Sequence, residues 1–348
     1  MEIGICTFAD LSPDPKTGLI ISAEQRMKNL LEEMVLADKV GLDIFGLGEH
    51  HRSDFIVSNP VVAMSAGAAL TKNIRFTSAV TVLSSADPVR VFQEFSELDL
   101  VSGGRAELIV GRGSFIESFP LFGNNLDDYD DLFKEKLELL LKLRQDEKIT
   151  WSGNFRPSIN DRGVYPRPVQ KSLPIWIGVG GTPTSVQRAG KLGLPLTIAI
   201  IGGYPEHFVP LVELYKNTAK ANGHDELALC INSHGFVLED SDEASKVYYP
   251  YYSAFMNKIG KERGWGPMGW DSFNQSKGPE GFLLVGNPEE VAAKIIKEYD
   301  LFGHQRFMMQ ISVGAMPHDK VLESIEVLGT KVAPLVRQEL KRRKNKNS

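Results

Sequence analysis

The sequence predicts an α/β protein, a (β/α)8 TIM barrel with an insertion after the seventh strand. Apolar runs of strand length alternate with longer segments of helical periodicity almost from end to end, and eight strands can be counted. A chain of 348 residues also suits one such barrel, because α/β barrels often reach this size as a single domain. We expect one domain over residues 1–340 and a disordered basic tail over residues 341–348. An open doubly wound sheet is the alternative fold.

The strands are predicted where short apolar and β-branched runs lie between turn residues. They cover residues 2–8, 42–47, 74–83, 106–110, 175–179, 196–200, 229–238 and 306–311. The helices are predicted where apolar residues recur every three or four positions between capping or breaking residues. They cover residues 23–40, 60–71, 88–101, 132–143, 185–192, 207–222, 288–302 and 318–343.

Two segments depart from this alternation. Residues 151–173 are punctuated by proline and glycine, which predicts a long loop or a small hairpin. Residues 248–281 concentrate aromatic side chains among helix breakers. We interpret the second segment as an insertion after strand seven on the catalytic face, where it would act as a lid. The alternative is an aromatic patch that packs on the outside of the barrel.

Composition limits the classes of function. The formal net charge is −5, and the basic cluster at residues 341–344 lies at the end of the chain, so nucleic-acid binding is not favoured. Cys6 and Cys230 are too few for a disulfide framework, which indicates a reducing compartment. No signal peptide or apolar run of membrane-spanning length is present. We therefore expect a cytoplasmic protein without a membrane partner.

The run Glu49-His50-His51-Arg52 is the strongest candidate for chemistry, because it follows the second strand. Loops after the carboxyl ends of barrel strands build active sites. Successive residues of an extended segment point to opposite sides, so only one of the two histidines can face a given pocket squarely. In the alternative, Glu49 and Arg52 form a solvated pair and the histidines fill space at the rim.

Two further loops have the chemistry of an anion site. Residues 111–114, Gly-Arg-Gly-Ser, follow strand four and offer an arginine fork between glycines. Residues 180–185, Gly-Gly-Thr-Pro-Thr-Ser, follow strand five and run into a helix start. The strands are adjacent, so both loops could hold the same phosphate. The alternatives are that Arg112 pairs with a neighbouring acid and that the hydroxyls only cap the helix.

Other features carry weaker signals. Residues 77–83 are small and β-branched, and would give a flat surface for an aromatic ring, although ordinary barrel strands have similar sequences. Residues 62–70 form a helix without a charged face, which predicts a subunit interface. No nucleophile, Walker, dinucleotide or zincin motif is present, and no further inward ligand stands out for a metal on His50 or His51.

Taken together, these motifs resemble the bacterial luciferase-like flavin monooxygenases over nearly the whole chain. Several segments occur in the family's order: Glu49-His50-His51 with Asn59-Pro60, Val80 to Leu83 with Asp87-Pro88-Val89-Arg90, residues 98–105 leading to Gly111-Arg112-Gly113, Gly193-Leu194-Pro195, Gly314-Ala315-Met316-Pro317-His318 and Ala333-Pro334.

The resemblance implies roles for individual residues. The flavin phosphate would be held by Arg112, Gly181, Thr182 and Ser185. The isoalloxazine ring would meet Ala79, Val80 and Thr81, and the Ala79-Val80 bond matches a non-proline cis peptide that is frequent in the family. The active-site histidine would be His50, with His51 beside it.

The resemblance also implies FMN that is reduced by a separate flavin reductase, O2 as co-substrate, and a homodimer formed through the helices after strands two and three. The aromatic residues of segment 248–281 favour a small apolar organic substrate. Gly111 and Asp87 stand where light-emitting members carry cysteine and histidine, which argues against light emission. The alternatives are a deazaflavin-dependent dehydrogenase on the same barrel, a flavin-binding protein without turnover and, least favoured, a metal-dependent hydrolase.

Overall fold

The computed structural model describes residues 1–113 and 115–347, so Ser114 of the predicted anion loop and Ser348 of the tail lie outside the described residues. The strands are β1 (Glu2–Thr7), β2 (Ile44–Leu47), β3 (Arg75–Ser78), β4 (Thr81–Val82), β5 (Ala106–Gly111), β6 (Lys148–Trp151), β7 (Ile159–Gly163), β8 (Ile175–Val179), β9 (Leu196–Ile200), β10 (Leu229–Val237), β11 (Leu284–Gly286) and β12 (Arg306–Gln310).

Eight parallel strands close into a barrel, which confirms the predicted fold. The order around the ring is β1, β2, β3, β5, β8, β9, β10 and β12, and β12 pairs with β1 to complete it. Side chains on alternate positions fill the interior or pack against the surrounding helices. Since all eight strands run the same way, their carboxyl ends share one rim of the barrel.

Helices cover the outside of the ring. They are α1 (Ala23–Lys39), α2 (Pro60–Leu70), α3 (Pro88–Ser102), α4 (Ser118–Leu121), α5 (Tyr129–Gln145), α6 (Pro183–Lys191), α7 (Val209–Ala221), α8 (Ser241–Arg263), α9 (Trp270–Lys277), α10 (Pro288–Phe302), α11 (His318–Val327) and α12 (Ala333–Asn347). Side chains of Ser22, Asn59, Asp87 and Asn287 cap the starts of α1, α2, α3 and α10. Across residues 1–113 and 115–347, no helix is long and apolar enough to cross a membrane.

Three details differ from the sequence prediction. The third strand is divided into β3 and β4, and a cis peptide bond joins Ala79 to Val80 between them. The segment after α5 forms the antiparallel hairpin of β6 and β7, which starts before the predicted loop. The additional strand β11 pairs with the end of β10 outside the ring. It was missed because an apolar run of 3 residues carries no readable periodicity.

The insertion lies between β10 and β12, as predicted, and is mostly helical. Helix α8 runs through Pro250, although proline removes one backbone donor from a helix. The rings of Tyr248 and Tyr252 are buried and stack at 5.3 Å, and Phe273 of α9 packs 6.1 Å from Tyr252. Burial of these rings offsets the cost of the proline.

The basic tail also differs from the prediction. It was expected to be disordered, but α12 continues to Asn347, so the cluster at residues 341–344 is helical. Within that helix, Glu339 accepts hydrogen bonds from both Arg342 and Arg343 at 2.7–2.8 Å. Pairs at these spacings lie on one face and stabilise the last turns.

A buried ion pair crosses the amino end of the barrel. Arg306 at the start of β12 donates to both carboxylate oxygens of Glu107 in β5, at 2.7 and 3.1 Å, and to Glu2 at 2.7 Å. The side chains of Arg306 and Glu107 are 2% and 3% exposed, and the guanidinium lies 4.3 Å from the centre of the Trp176 ring. This contact fixes the two strands relative to each other at the end opposite to the rim.

Replacing Arg306 with Met should lower the free energy of unfolding by about 3 kcal/mol, because the carboxylate of Glu107 would lose its buried partner and keep only the partly exposed Arg75. The double variant Arg306→Met, Glu107→Leu should recover part of this loss. Urea unfolding followed by circular dichroism measures the two single variants and the double variant. A double variant whose loss equals the sum of the two single losses would contradict a pairwise role for this contact.

Candidate active site

A cavity of about 410 Å³ opens at the carboxyl rim of the barrel. Its walls come from the ends of β1, β5, β8, β9, β10 and β12, from the turn between β3 and β4, and from helix α8. This is the position at which α/β barrels carry their active sites. The cavity joins a cationic end, beside β5 and β8, to a largely apolar interior.

The cationic end brings the two predicted anion loops together. Arg112 and Gly113 follow β5, and Gly180, Thr182 and Ser185 follow β8, and all five line the cavity. Nη2 of Arg112 donates a hydrogen bond of 3.1 Å to the hydroxyl of Thr182. Thr182 makes no side-chain cap to α6, so the alternative that its hydroxyl only caps the helix does not apply.

Gly181 supplies the turn between the strand and helix α6. Its φ of +130° lies in the region that side-chain-bearing residues rarely adopt, and a Cβ there would meet nothing within 4 Å. The backbone is therefore open at this position. Together with the first turn of α6, it offers N–H groups of the kind that bind anions.

Arg112 also has an acidic partner, as one alternative predicted. Its Nη1 pairs with the carboxylate of Asp130 in the first turn of α5, and its guanidinium lies 5.0 Å from the centre of the Tyr129 ring. The side chain of Asp130 is 68% exposed, so this contact is at the surface. Exposed ion pairs contribute little to stability, and an incoming anion can replace the carboxylate.

The sequence analysis missed a second arginine at this end. Arg188 lies in α6, three residues after Ser185, and its guanidinium packs 5.2 Å from the Phe133 ring centre. Its Nη1 is buried and has no hydrogen-bond partner among the described residues. Burial and the nearby charge of Arg112 lower the pKa of Arg188. The sequence could have indicated Arg188, because it follows Ser185 by three positions and residues three apart share a helix face.

The turn between β3 and β4 forms an apolar wall of the cavity. Ala79 and Val80, joined by the cis peptide, line the cavity, whereas Thr81 is buried and lies in a neighbouring cleft. Val80 fits between two glycines. A Cβ at Gly111 or at Gly178 would lie 2.7 Å from a methyl group of Val80. A cysteine at position 111 would therefore require this wall to shift.

The two histidines lie behind this wall and do not line the main cavity. They line a separate cavity of about 60 Å³, with Ala79, Val80 and Phe115 shared between the two spaces. His50 stacks on Phe55 at 4.2 Å and meets Phe115 edge-on at 5.1 Å. Burial lowers the pKa of His50 to about 3, so the ring is neutral near pH 7. Its Nε2 is buried without a partner in the described chain.

His51 is held by the neighbouring acid. Its Nε2 lies 2.9 Å from Oε1 of Glu49, and Oε2 of Glu49 accepts a 3.0 Å hydrogen bond from the backbone of Val82. Arg52 instead binds Asp54, Glu117 and, in α8, Glu262. The alternative in which Glu49 and Arg52 form a solvated pair is therefore wrong. Glu49 therefore connects the loop to the wall at Val82, and Arg52 connects it to helix α8 of the insertion.

The opposite side of the cavity carries polar residues that the sequence analysis did not select. Asn232 and His234 of β10 and Gln310 of β12 face the cavity, and burial lowers the pKa of His234 to about 4. Nδ1 of His234 and Nε2 of Gln310 have no partner within the described residues. Neither His234 nor Gln310 belongs to a motif, so only the alternation of side chains along β10 and β12 could have placed them in the barrel interior. No group of three or more His, Cys, Asp and Glu side chains in the described chain could hold a metal ion.

The insertion borders the cavity, and whether it acts as a lid stays a prediction. Phe255, Met256 and Ile259 of α8 line the cavity, and Trp265 lies beyond the end of that helix. The aromatic rings on the other side of α8 pack inward on the barrel. One helix therefore packs on the barrel with its tyrosines and borders the cavity with Phe255, Met256 and Ile259.

Comparisons with known proteins agree with this architecture. The solved monooxygenase RslO1 from Streptomyces bottropensis superposes with a TM-score of 0.83 at 23% identity, covering 96% of this chain and 99% of its own. The oxygenating constituent of 3,6-diketocamphane monooxygenase from Pseudomonas putida, a type II Baeyer-Villiger monooxygenase solved with FMN, gives 0.77 at 20% identity, covering 97% and 98%. An F420-dependent secondary alcohol dehydrogenase gives 0.74 at 19% identity, covering 97% and 100%.

Sequence comparison identifies the family. The alkanal monooxygenase alpha chain of Photorhabdus laumondii is 24% identical over 348 residues, covering 91% of this chain and 94% of its own. The sequence model of the luciferase-like monooxygenases matches residues 1–305. That match covers most of the barrel, including both anion loops and the Glu-His-His run. The chain therefore belongs to the luciferase-like monooxygenase family.

Proposed function

We propose that this protein is a monooxygenase that uses reduced FMN and O2 to oxidise a small apolar organic substrate. The observation that carries the proposal is one cavity with a cationic end at Arg112 and an apolar wall at Ala79 and Val80. A flavin mononucleotide needs both features, because its phosphate is charged and its ring system is planar. The similarity to an alkanal monooxygenase chain and to an FMN-bound Baeyer-Villiger monooxygenase supports the choice of reaction.

The residues at the rim fit this cofactor. Arg112, Thr182, Ser185 and the open backbone at Gly181 would hold the phosphate, since they supply a guanidinium, hydroxyls and a helix start. Ala79 and Val80 would support the ring. Thr81 would act from behind this wall, because it is buried outside the main cavity.

Bound reduced FMN would supply two electrons to O2, so that one oxygen atom enters the substrate and the other leaves as water. The chain's own contribution is a dry site. Phe255, Met256 and Ile259 of α8 present apolar groups to the cavity, which excludes water from the reacting groups. His234 and Gln310 offer polar atoms with which a substrate can be oriented.

We assign His50 to proton transfer, with His51 positioning the loop through Glu49. Nε2 of the neutral His50 ring has no partner elsewhere in the described chain, and burial holds the pKa of the ring at about 3. His50 would therefore take up a proton only when a bound group stabilises its charged form. Because His50 lies behind Ala79 and Val80, it would act on the face of the wall opposite to the cavity.

A deazaflavin-dependent dehydrogenase is the second candidate, because an F420-dependent alcohol dehydrogenase shares this fold over nearly the whole chain. Such an enzyme would transfer hydride without O2. In the monooxygenase proposal a separate reductase supplies the reduced flavin, since the sequence contains no dinucleotide-binding GxGxxG motif. The cofactor and the dependence on O2 distinguish the two candidates.

Fluorescence titration should show that the purified protein binds FMN, and that Arg112→Met weakens this binding at least roughly tenfold through loss of a charge-assisted contact. With reduced FMN supplied in a substrate screen, O2 should be consumed and product should carry the label from 18O2. Binding of the deazaflavin coenzyme alone, with anaerobic turnover, would favour the dehydrogenase instead. Arg156→Met, which alters an arginine that pairs with Asp87, is the matched control.

Replacing His50 with Ala should leave FMN affinity within twofold and lower kcat by about 10²-fold, the usual contribution of a positioned proton-transfer group. His50→Gln keeps most of the side-chain volume but removes the ionisable ring. It therefore separates the effect of lost proton transfer from the effect of lost volume. The exposed His207→Ala is the control and should retain full activity. Equal losses of affinity and turnover in His50→Ala would show that the residue only supports the wall.

We also propose a homodimer formed through α2 and α3. Val62 and Leu70 of α2 are 69% and 59% exposed, and Leu100 and Val101 expose further apolar surface at the end of α3. Adjacent helices that expose such a patch favour association. Light scattering should give a dimer mass at micromolar concentration, and Val62→Glu should shift it to the monomer. Leu335→Glu, at another exposed leucine, should not change the mass.

A further inference from the structure

We propose that a second cavity, between the loop after β1 and helices α1 and α11, binds a small primary amine in its protonated form. This α1–α11 cavity has a volume of about 250 Å³. Its lining residues fall within residues 10–33 and 312–321, and none of them lines the cavity at the carboxyl rim. The inference goes beyond the proposed function and does not depend on it.

Asp10 provides the acidic group of the α1–α11 cavity. It lies three residues after β1, lines the cavity and is 3% exposed. The backbone of Gly314 and the guanidinium of Arg26 favour its charged form, but neither carboxylate oxygen makes a hydrogen bond with a described residue. A buried acceptor without a donor is unfavourable, and a ligand with N–H groups would supply the missing donor.

The buried charges around this cavity favour a cation. Nη1 of Arg26 donates to Oε1 of Glu33 at 2.9 Å, and Nε of the same side chain donates to the backbone oxygen of Asp10 at 3.2 Å. The side chains of Arg26 and Glu33 are 9% and 2% exposed. One guanidinium therefore serves two buried carboxylates, those of Asp10 and Glu33. When both acids are ionised, one negative charge remains, and a monocation would balance it.

The unpaired oxygen atoms point to a primary amine. Oε2 of Glu33 is buried without a partner in the described chain, as are both carboxylate oxygens of Asp10. A primary ammonium group carries three N–H donors, the same number as these oxygens. A metal ion is less suited, because residues 1–113 and 115–347 contain no group of three or more His, Cys, Asp and Glu side chains that could hold one.

The apolar lining adds a short hydrocarbon chain to the ligand. Leu19 and Ile21 line the cavity although they are 73% and 48% exposed, and Ile20 between them is 55% exposed. Met316 and Val321 extend the apolar lining from the loop after β12 and from α11. Exposed apolar side chains beside a polar pocket are typical of ligand sites. Because pockets for drug-sized ligands start at about 300 Å³, this cavity suits a smaller molecule.

Isothermal titration calorimetry of the full chain tests the ligand class with n-butylammonium chloride as the probe. It should bind with a dissociation constant of about 1 mM or tighter. Tetramethylammonium lacks N–H donors and n-butanol lacks the charge, so each should bind at least roughly tenfold more weakly. Equal binding of tetramethylammonium or n-butanol would overturn the inference, as would tighter binding of Mg²⁺ from MgCl2.

Replacing Asp10 with Asn should weaken n-butylammonium binding about tenfold or more, because a charge-assisted hydrogen bond is lost. Asp319→Asn is the matched control. It makes the same change at an exposed residue in the first turn of α11, outside the lining of the cavity, and should leave the affinity unchanged. An unchanged dissociation constant in Asp10→Asn would contradict the proposed site.

Amine binding should also depend on pH, because burial raises the pKa of Asp10 to about 7. A bound ammonium stabilises the ionised carboxylate, so affinity should rise from about pH 6 to about pH 8, and Asp10→Asn should reduce that rise. Contacts with Glu33 and Glu32 raise the pKa of His318, whose charged form opposes the amine at low pH, so His318→Gln measures that share. The other ionisable groups around Asp10 and the cavity are Asp14, Arg26, Glu33, Asp54 and Tyr248.

Methyl NMR of the ¹³C-labelled methionines locates the bound amine. The ε-methyl signal of Met316, assigned with Met316→Leu, should shift when n-butylammonium is added. The signal of Met256, which lines the cavity at the carboxyl rim, should not move. A shift of Met256 without a shift of Met316 would place the amine in the other cavity and overturn the inference. If Asp10→Asn does not fold by circular dichroism, the Met316 signal decides alone. FMN titration tests the proposed function separately.

Discussion

Closure of the parallel sheet is the constraint on which the rest of the structure depends. Once β12 pairs with β1, every strand has two neighbours and all eight carboxyl ends meet at one rim. Residues far apart in sequence then share one cavity: Arg112 follows the fourth strand of the ring, Ser185 follows the fifth and His234 belongs to the seventh. An open sheet would leave these loops along an edge, where they could not surround a common volume.

The two ends of the barrel satisfy polar groups differently. At the amino end, Arg306 and Glu107 are buried against each other and their hydrogen-bonding atoms are paired. At the carboxyl rim, Arg188, His234 and Gln310 each have a buried polar atom without a partner in the described chain. Unpaired groups of this kind cost stability. The unpaired atoms at the rim can bind a polar ligand, whereas those of Glu298 and His304 lie away from the cavity.

The wall at Ala79 and Val80 organises the site. Val80 fits between Gly111 and Gly178, so the glycines of β5 and β8 allow the turn to approach the barrel interior closely. The wall separates the cavity from His50, whose ring lies in an aromatic enclosure, and Glu49 ties the following backbone to His51. The cavity wall, the enclosure of His50 and the position of the following loop thus depend on one short stretch of backbone.

The sequence by itself determined the barrel, the order of its strands and the loops that carry the site, because alternating periodicity and glycine-rich loops are local properties of the chain. Only the tertiary structure decided that His50 lies behind the wall, that Arg112 pairs with Asp130 and that Nη1 of Arg188 is buried without a partner among the described residues. The course of α8 through Pro250 was decided in the same way, since its buried tyrosines offset the lost hydrogen bond. These outcomes depend on which side chains of distant segments meet, and local sequence patterns do not encode that contact.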